Sequence, residues 1–311
     1  MLYLSAQPAN EYYAWQVEVY ITNFIACGID PKDIMVVCSY STLSEIPEYW
    51  LRLEENYSAK FYFYEDTRVE RRYIPSIQSH ILAKHFASHP ELVKETIFYH
   101  DCDFIFTRPF DFSPYLNDDV WFFSDTISYI GATYIKSKGT DVFLKMCELV
   151  GIDPQVVTDN EAHSGGAQKL IKNVDAQYWL DVERDSNALY MGLGDLKNTK
   201  KKDDPYSIQI WCASMWAELW NAWKRGDEVR VPKAFDFAWA TCPASKWKAV
   251  SFYHNAGVVG PYHRMFYKGR YMDKLPYDEE VDIDPGRCSV YYYDWVKKTG
   301  NKTCLEKSLT L

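Results

Sequence analysis

Two aspartates lie two positions apart in the stretch ETIFYHDCDFIF, residues 95–106, which otherwise has the apolar pattern of a buried strand. Residues i and i+2 of a strand point to the same side, so Asp101 and Asp103 are predicted to face one point. Like charges this close repel each other unless a cation lies between them, and carboxylate oxygens suit Mg²⁺ or Mn²⁺. The pair therefore indicates a divalent metal site; the alternative is two turn or capping aspartates at a strand end.

A second stretch, HSGGAQ at 163–168, combines two glycines with polar side chains. Gly165 and Gly166 have no Cβ, so the backbone of a loop here can approach a ligand closely. Ser164 and Gln168 offer groups that hydrogen-bond to sugar hydroxyls. The alternative is a tight turn from a strand into a helix, with Gln168 merely exposed.

Strand and helix patterns alternate through the first half of the chain. Apolar, β-branched runs predict strands, and apolar residues at helical spacing predict helices between them. The strands are predicted at 2–6, 34–40, 59–66 and 95–106, and the helices at 11–27, 43–57 and 75–90. Such alternation predicts an α/β fold with a mostly parallel sheet, whose ligands bind at the carboxyl ends of the strands. The Asp-x-Asp pair falls at such an end.

The second half of the chain is less regular. Strands are predicted at 120–125 and 127–135, and helices at 141–151, 175–190 and 207–226. Trp216, Trp220 and Trp223 recur on one face of the last helix, which is typical of core packing. No Pro/Gly/Ser-rich linker divides the chain.

Composition restricts the class of protein. The net charge of −9 argues against a protein that binds nucleic acid over its whole surface. The 8 cysteines include no CxxC pair, which is typical of reduced thiols. Aromatic residues make up 17% of the chain, which suits ring stacking on sugars or bases but equally an aromatic core. The sequence shows neither a signal peptide nor an apolar run of membrane-spanning length, so we expect a cytoplasmic protein (host cytoplasm if viral) with no membrane partner.

The motifs together resemble those of GT-A glycosyltransferases. Within that fold the chain resembles the group of hydroxyproline O-arabinosyltransferases and peptidyl-serine galactosyltransferases, through HDCDFIFTRPF, HSGGAQKLIKNVDAQYWLDVERDSNALY, IWCASMWAELWNAW and FYHNAGV. The resemblance implies one Rossmann-like GT-A domain over 1–311. Its nucleotide-binding half would be 1–110, its sugar and acceptor half 111–270, and its C-terminal extension 271–311.

The resemblance also implies site residues for a metal-dependent transferase that uses Mn²⁺ or Mg²⁺ and a nucleoside diphosphate sugar, expected to be UDP-linked. His254 would join Asp101 and Asp103 as a metal ligand, unless it is a buried structural histidine. The donor would contact Ser5, Gln7, Asp66, Arg72, Ser76 and Asp101. The sugar or acceptor would contact His163, Ser164, Gly165, Gly166, Gln168 and Asn255. Arg68, Arg71 and Arg72 form a basic cluster from which one side chain would reach the diphosphate; the alternative is a solvated surface cluster.

The chain departs from the family pattern in its late helix. An acidic residue is expected just before Met215, where this chain has Ser214. Glu218 and Asp236 are therefore the candidate catalytic carboxylates besides Asp103. Whether transfer inverts or retains the configuration of the sugar stays open.

The acceptor hydroxyl is the least marked feature of the sequence. One hypothesis is a hydroxymethylated pyrimidine in phage DNA, contacted by the basic segments 197–202, 246–248 and 263–270. The alternative is a protein or glycan hydroxyl. A further alternative is a non-catalytic nucleotide-sugar-binding module that keeps the fold.

Overall fold

The computed structural model describes residues 1–194, 207–256 and 264–309, with side chains described as far as residue 301. The chain forms two compact units that alternate along the sequence. The first unit contains Met1–Leu2, Tyr64–Tyr99 and Ser113–Lys233, and the second contains Tyr3–Phe63, His100–Phe112 and Ala234–Leu311. Each unit is made of separate sequence segments, whereas the predicted nucleotide-binding and sugar and acceptor halves are each continuous in sequence. The division into those halves stays a prediction.

The strands of the described residues are β1 (Leu2–Pro8), β2 (Ile34–Tyr40), β3 (Lys60–Glu65), β4 (Ile97–Tyr99), β5 (Phe104–Phe106), β6 (Trp121–Asp125), β7 (Gly165–Ile171), β8 (Val229–Arg230), β9 (Phe237–Trp239) and β10 (Phe252–His254). The helices are α1 (Glu11–Ala26), α2 (Glu48–Asn56), α3 (Ser76–Ser88), α4 (Ile127–Ile130), α5 (Ala132–Lys138), α6 (Thr140–Val150), α7 (Pro154–Asp159), α8 (Ala176–Gly194), α9 (Ala213–Arg225), α10 (Ala244–Ala249) and α11 (Ser289–Leu309).

In the second unit, β3, β2 and β1 are neighbours in that order, and β1 runs parallel to β2. A small sheet has the order β5-β10-β9, in which β10 is antiparallel to β5 and parallel to β9. Asn10 is the N-cap of helix α1, and its side chain accepts a hydrogen bond from the Tyr13 N–H. Further along α1, the Asn23 amide both donates to and accepts from the backbone of Phe106, at 3.0 and 2.8 Å, and so acts as a hydrogen-bonding partner for β5.

In the first unit, β4, β7, β6 and β8 are neighbours in that order. Strand β7 is antiparallel to both β4 and β6, and β6 is parallel to β8. The core holds the large rings of α8 and α9, including Trp179, Trp216 and Trp220, each 1% exposed or less. The tryptophan face of the late helix is therefore core, as its spacing indicates.

The predicted α/β class, with a mostly parallel central sheet flanked by helices, is confirmed. Most predicted elements are present, and α6 and α9 are capped at their C-termini by the predicted Gly151 and Gly226. The predicted strand at 127–135 is wrong, because this run forms α4 and α5. Short apolar runs fit a strand or a buried helix equally well. Here the Asp125 carboxylate accepts from the Ile127 N–H at 3.0 Å, and the Trp216 indole donates to the Ile130 carbonyl at 2.9 Å, so both ends of the helical turn are hydrogen-bonded.

Candidate metal centre

The two aspartates lie in a turn and not on a strand. Strand β4 ends at Tyr99 and β5 begins at Phe104, and the Phe104 N–H donates to the Asp101 carbonyl at 3.2 Å to close the turn between them. The prediction of one continuous strand over 95–106 is therefore wrong, and so is the reason given for the two side chains facing the same way. An Asp-x-Asp pair at a strand end is nevertheless what the structure contains.

Strand β10 brings His254 to the two carboxylates. It pairs with β5 so that His254 lies opposite Phe104, and the Asn255 N–H donates to the Asp103 carbonyl at 3.0 Å. The His254 Nε2 atom lies 3.1 Å from Asp103 Oδ1 and 3.5 Å from Asp101 Oδ2. On β9, Trp239 stacks on the imidazole at a ring-centroid distance of 5.8 Å.

These three side chains fit a divalent cation. Each offers one donor atom, and the three atoms lie within 4.8 Å of one another. Two carboxylate oxygens and one imidazole nitrogen are ligands that ions such as Mn²⁺ accept, and a cation among them removes the repulsion between the aspartates. Asp101 is 40% exposed while the Asp103 side chain is 4% exposed, so the site is open on the side of Asp101.

A lysine that the sequence analysis assigned to a basic segment belongs to this cluster. Lys268 Nζ lies 2.5 Å from Asp103 Oδ2. Burial raises the pKa of Asp103, but the charges of Lys268 and His254 outweigh burial and hold that pKa well below its usual range. Burial likewise lowers the pKa values of His254 and Lys268, and the Asp103 carboxylate more than compensates in both, so both pKa values are raised. Nothing in the sequence around Lys268 distinguishes it from the other cations of 263–270.

The two polar residues predicted to contact a nucleobase from β1 are buried. The Ser5 hydroxyl hydrogen-bonds to the Tyr20 hydroxyl at 2.8 Å, and Ser5 is 0% exposed. Gln7 is 1% exposed and donates to the Val37 carbonyl at 3.2 Å. The contacts of Ser5 and Gln7 with a nucleobase stay predictions.

The basic cluster that was predicted to reach a diphosphate is buried at Arg68 and exposed at Arg71 and Arg72, whose side chains are 55% and 66% exposed. Arg68 is buried, its Nε and Nη2 atoms each lie 3.0 Å from a different oxygen of Asp66, and its Nη1 donates to the Ser76 hydroxyl at 2.9 Å. Burial raises the pKa of Asp66, but the Arg68 hydrogen bonds outweigh burial and lower it. Arg72 pairs with Glu70 at 2.5 Å. Asp66 and Ser76 are thus held by Arg68, and donor contacts of Asp66, Arg72 and Ser76 stay predictions.

The HSGGAQ stretch is neither a loop nor a turn into a helix. Residues Gly165–Ile171 form β7, whose register with β6 shifts between Phe123 and Ser124. At Gly165, a Cβ would lie 2.4 Å from the Phe123 Cβ, and at Gly166 it would lie 2.4 Å from the Met215 Cε. Both glycines are therefore explained by close packing. The predicted loop is a strand from Gly165 onward, and contact of this stretch with a ligand stays a prediction. Ala167 has a positive φ of 56°, which accompanies the register shift.

The remaining residues assigned to the sugar or acceptor have mixed environments. Ser164 and Gln168 are buried, His163 ends a short 3₁₀ turn, and Asn255 is buried with its side-chain oxygen accepting from the Tyr253 hydroxyl at 2.9 Å. Their contacts with a sugar stay predictions.

The two candidate catalytic carboxylates are each paired with a lysine. Glu218 forms a buried ion pair with Lys169 of β7, the two side chains being 7% and 5% exposed. Asp236 pairs with Lys246 at 2.5 Å, and its side chain is 38% exposed. The environment of Glu218 is that of a structural ion pair, whereas Asp236 can be reached from solvent.

The basic segments proposed for DNA are described only in part. Residues 197–202 and His263 lie outside the described residues. Of the described cations, Lys246 pairs with Asp236, Arg264 pairs with Asp282 at 2.8 Å, and Lys268 pairs with Asp103.

The cysteines of the described residues are free thiols, as predicted, and are Cys27, Cys38, Cys102, Cys147, Cys212, Cys242 and Cys288. Within the same ranges no helix combines the length and the apolar character needed to cross a membrane.

No protein-family model matches the sequence, and no curated protein matches it. The chain is similar to the solved structure of WbbM, a bifunctional glycosyltransferase, at 11% identity with a TM-score of 0.46; the match covers 96% of this chain and 50% of WbbM, so the chain spans half the length of WbbM. It is similar to mouse xyloside xylosyltransferase 1 at 11% identity with a TM-score of 0.41, covering 84% of this chain and 99% of that one. The mannosyltransferase PcManGT from Pyrobaculum calidifontis, solved with GDP-Man and Mn²⁺, matches at 14% identity with a TM-score of 0.29, covering 71% of each chain. These similarities are too distant to transfer residue roles.

Proposed function

We propose that this protein is a metal-dependent glycosyltransferase of the GT-A type, which moves a sugar from a nucleoside diphosphate sugar to an acceptor hydroxyl. The observation that supports this most is the convergence of Asp101, Asp103 and His254 at the end of β4. A buried carboxylate beside an exposed one gives a cation two protein oxygens while leaving part of its shell to the donor. The bound metal would offset the charge that develops on the leaving diphosphate.

Other residues of the chain are proposed to bind the phosphates and to act as the catalytic base. Lys268 adds a positive charge beside Asp103, where the phosphates would lie if the metal binds them. Asp236 is the better of the two candidate bases, because Glu218 is buried against Lys169. A UDP-linked donor is our first choice, on the resemblance of the motifs.

The test of donor binding is thermal unfolding with Mn²⁺ and a panel of UDP- and GDP-sugars. One donor with Mn²⁺ is expected to raise Tm by a few degrees, since saturation at about 100 times Kd stabilises by roughly 2.7 kcal/mol. Asp103→Asn is expected to abolish the rise. Asp282→Asn, which removes an exposed aspartate of the same unit paired with Arg264, serves as the matched control and should keep it. If no nucleotide sugar shifts the wild type with any divalent metal, the proposal is wrong.

For the acceptor we propose a hydroxyl on a protein or glycan ahead of one on DNA. In the described parts of the basic segments 246–248 and 263–270, Lys246 and Arg264 are each paired with an aspartate, which lowers their value for contacts with a DNA backbone. Transfer of labelled sugar to hydroxymethylated DNA, compared with unmodified DNA and with hydroxylated peptides, tests this order. Label on hydroxymethylated DNA alone would reverse it, and donor binding without transfer or donor hydrolysis would favour the non-catalytic module.

A further inference from the structure

The metal cluster contains a cation of its own. The two oxygens of Asp103 are divided between neighbours, with Oδ1 3.1 Å from His254 Nε2 and Oδ2 2.5 Å from Lys268 Nζ. Counting His254 as neutral, which a metal ligand must be, the two aspartates and Lys268 have a net charge of −1. Without the lysine, the same cluster would have a charge of −2.

The position of Lys268 is set by buried contacts on both sides of it. The Phe266 N–H donates to the Ser289 hydroxyl at 2.8 Å, and the Trp15 indole donates to the Tyr271 carbonyl at 3.1 Å. The rings of Phe266 and Tyr271 stack at 5.4 Å, with 10° between their planes. Because this short segment is anchored to α1 and to α11, its lysine is held at Asp103, in contrast to a long side chain on a mobile surface loop.

We propose that Lys268 couples the binding of the metal to the binding of the nucleotide. This inference rests on the proposed function, because it takes the second ligand to be a nucleoside diphosphate. A divalent cation that binds alone must share Asp103 with an ammonium group and is repelled by it. A diphosphate that binds with the metal brings negative charge, which attracts both cations.

The lysine therefore lowers the affinity for the metal alone and raises the affinity for the metal together with the nucleotide. Coupling of this kind is reciprocal, so the metal must increase the affinity for the nucleotide by the same factor by which the nucleotide increases the affinity for the metal. A protein built in this way holds little metal until the donor is present.

The experiment measures Mn²⁺ binding by the EPR signal of the free ion, with and without saturating UDP or GDP. In the wild type, whichever of the two nucleotides binds is expected to increase the affinity for Mn²⁺ at least about tenfold. In Lys268→Met, Mn²⁺ alone should bind at least about tenfold tighter than in the wild type, and the gain from nucleotide should fall by a similar factor. Lys268→Arg keeps the charge and should keep the coupling.

Lys274→Met is the matched control. It removes a lysine of the same unit that pairs with the exposed Glu279, and it should leave both affinities unchanged. If Lys268→Met does not fold, the wild type is compared with Lys268→Arg. The inference is then overturned if nucleotide increases the affinity for Mn²⁺ less than threefold in both proteins. Equal affinities for Mn²⁺ alone in the wild type and a folded Lys268→Met also overturn it, while leaving the proposed function intact. Binding of neither Mn²⁺ nor nucleotide to the wild type would contradict the proposed function itself.

Discussion

The buried ion pair between Lys169 and Glu218 allows a stability effect to be separated from a catalytic one. Lys169 lies on β7 and Glu218 on α9, with side chains 5% and 7% exposed. The ammonium group also lies 4.8 Å from the centre of the Tyr99 ring. Water therefore has little access to either charge, and each depends on its partner.

Lys169→Met is expected to destabilise the protein by about 3–5 kcal/mol, because it leaves the Glu218 carboxylate buried without its cation. The double variant Lys169→Met/Glu218→Leu removes both charges and should recover most of that loss. Lys145→Met is the control: its partner Glu148 has a side chain that is 69% exposed, and such surface pairs contribute about 0–1 kcal/mol.

The measurement is urea unfolding followed by far-UV circular dichroism, with donor hydrolysis recorded on the same samples. A loss below about 1 kcal/mol for Lys169→Met would show that the pair is not desolvated, and the reasoning would be refuted. If the double variant is stable and still hydrolyses donor, Glu218 is structural. If it is stable and inactive, the catalytic prediction for Glu218 is restored.

Three further outcomes are expected. Gly165→Ala should lower the unfolding free energy in urea by roughly 1–3 kcal/mol more than Gly166→Ala does, because the new Cβ would meet the Phe123 Cβ and a backbone oxygen and not the end of a flexible side chain. Burial, with a smaller effect of a neighbouring histidine, lowers the pKa of His85 to about 3. Below about pH 6.5 the unfolded chain therefore binds a proton at this residue that the folded chain does not. Tm should consequently fall more between pH 7 and 5 in the wild type than in His85→Gln. Asn23→Ala removes both hydrogen bonds to the backbone of Phe106 and should cost about 1–3 kcal/mol in thermal unfolding.

The alternation of strands and helices could be predicted because local periodicity reflects burial. Helix α1 and strand β2 lie close to their predicted bounds, and the candidate metal ligands Asp101, Asp103 and His254 lie together, as the motif resemblance implies. These features depend on short-range pattern or on residue types that have few other uses at a strand end.

Other features depend on tertiary contacts that no window of sequence contains. The run 127–135 is β-branched enough to predict a strand, yet hydrogen bonds from outside the run stabilise it as helix. The glycines of 165–166 were expected in a loop, and instead they lie in β7, packed against Phe123 and Met215. The pairing of Lys268 with Asp103 joins two distant segments, and lysine alone gives no sign of a buried partner.

The small sheet β5-β10-β9 has a consequence for the synthesis of the chain. Its middle strand, β10, comes from a late part of the sequence, so a nascent chain exposes the edge of β5 until β10 has left the ribosome. Unpaired strand edges favour aggregation, and this chain must keep β5 protected in that interval. The Mn²⁺ site that we propose at Asp101, Asp103 and His254 can form only after β10 has paired with β5, so Mn²⁺ would stabilise chains that have reached this stage and offer nothing to shorter ones.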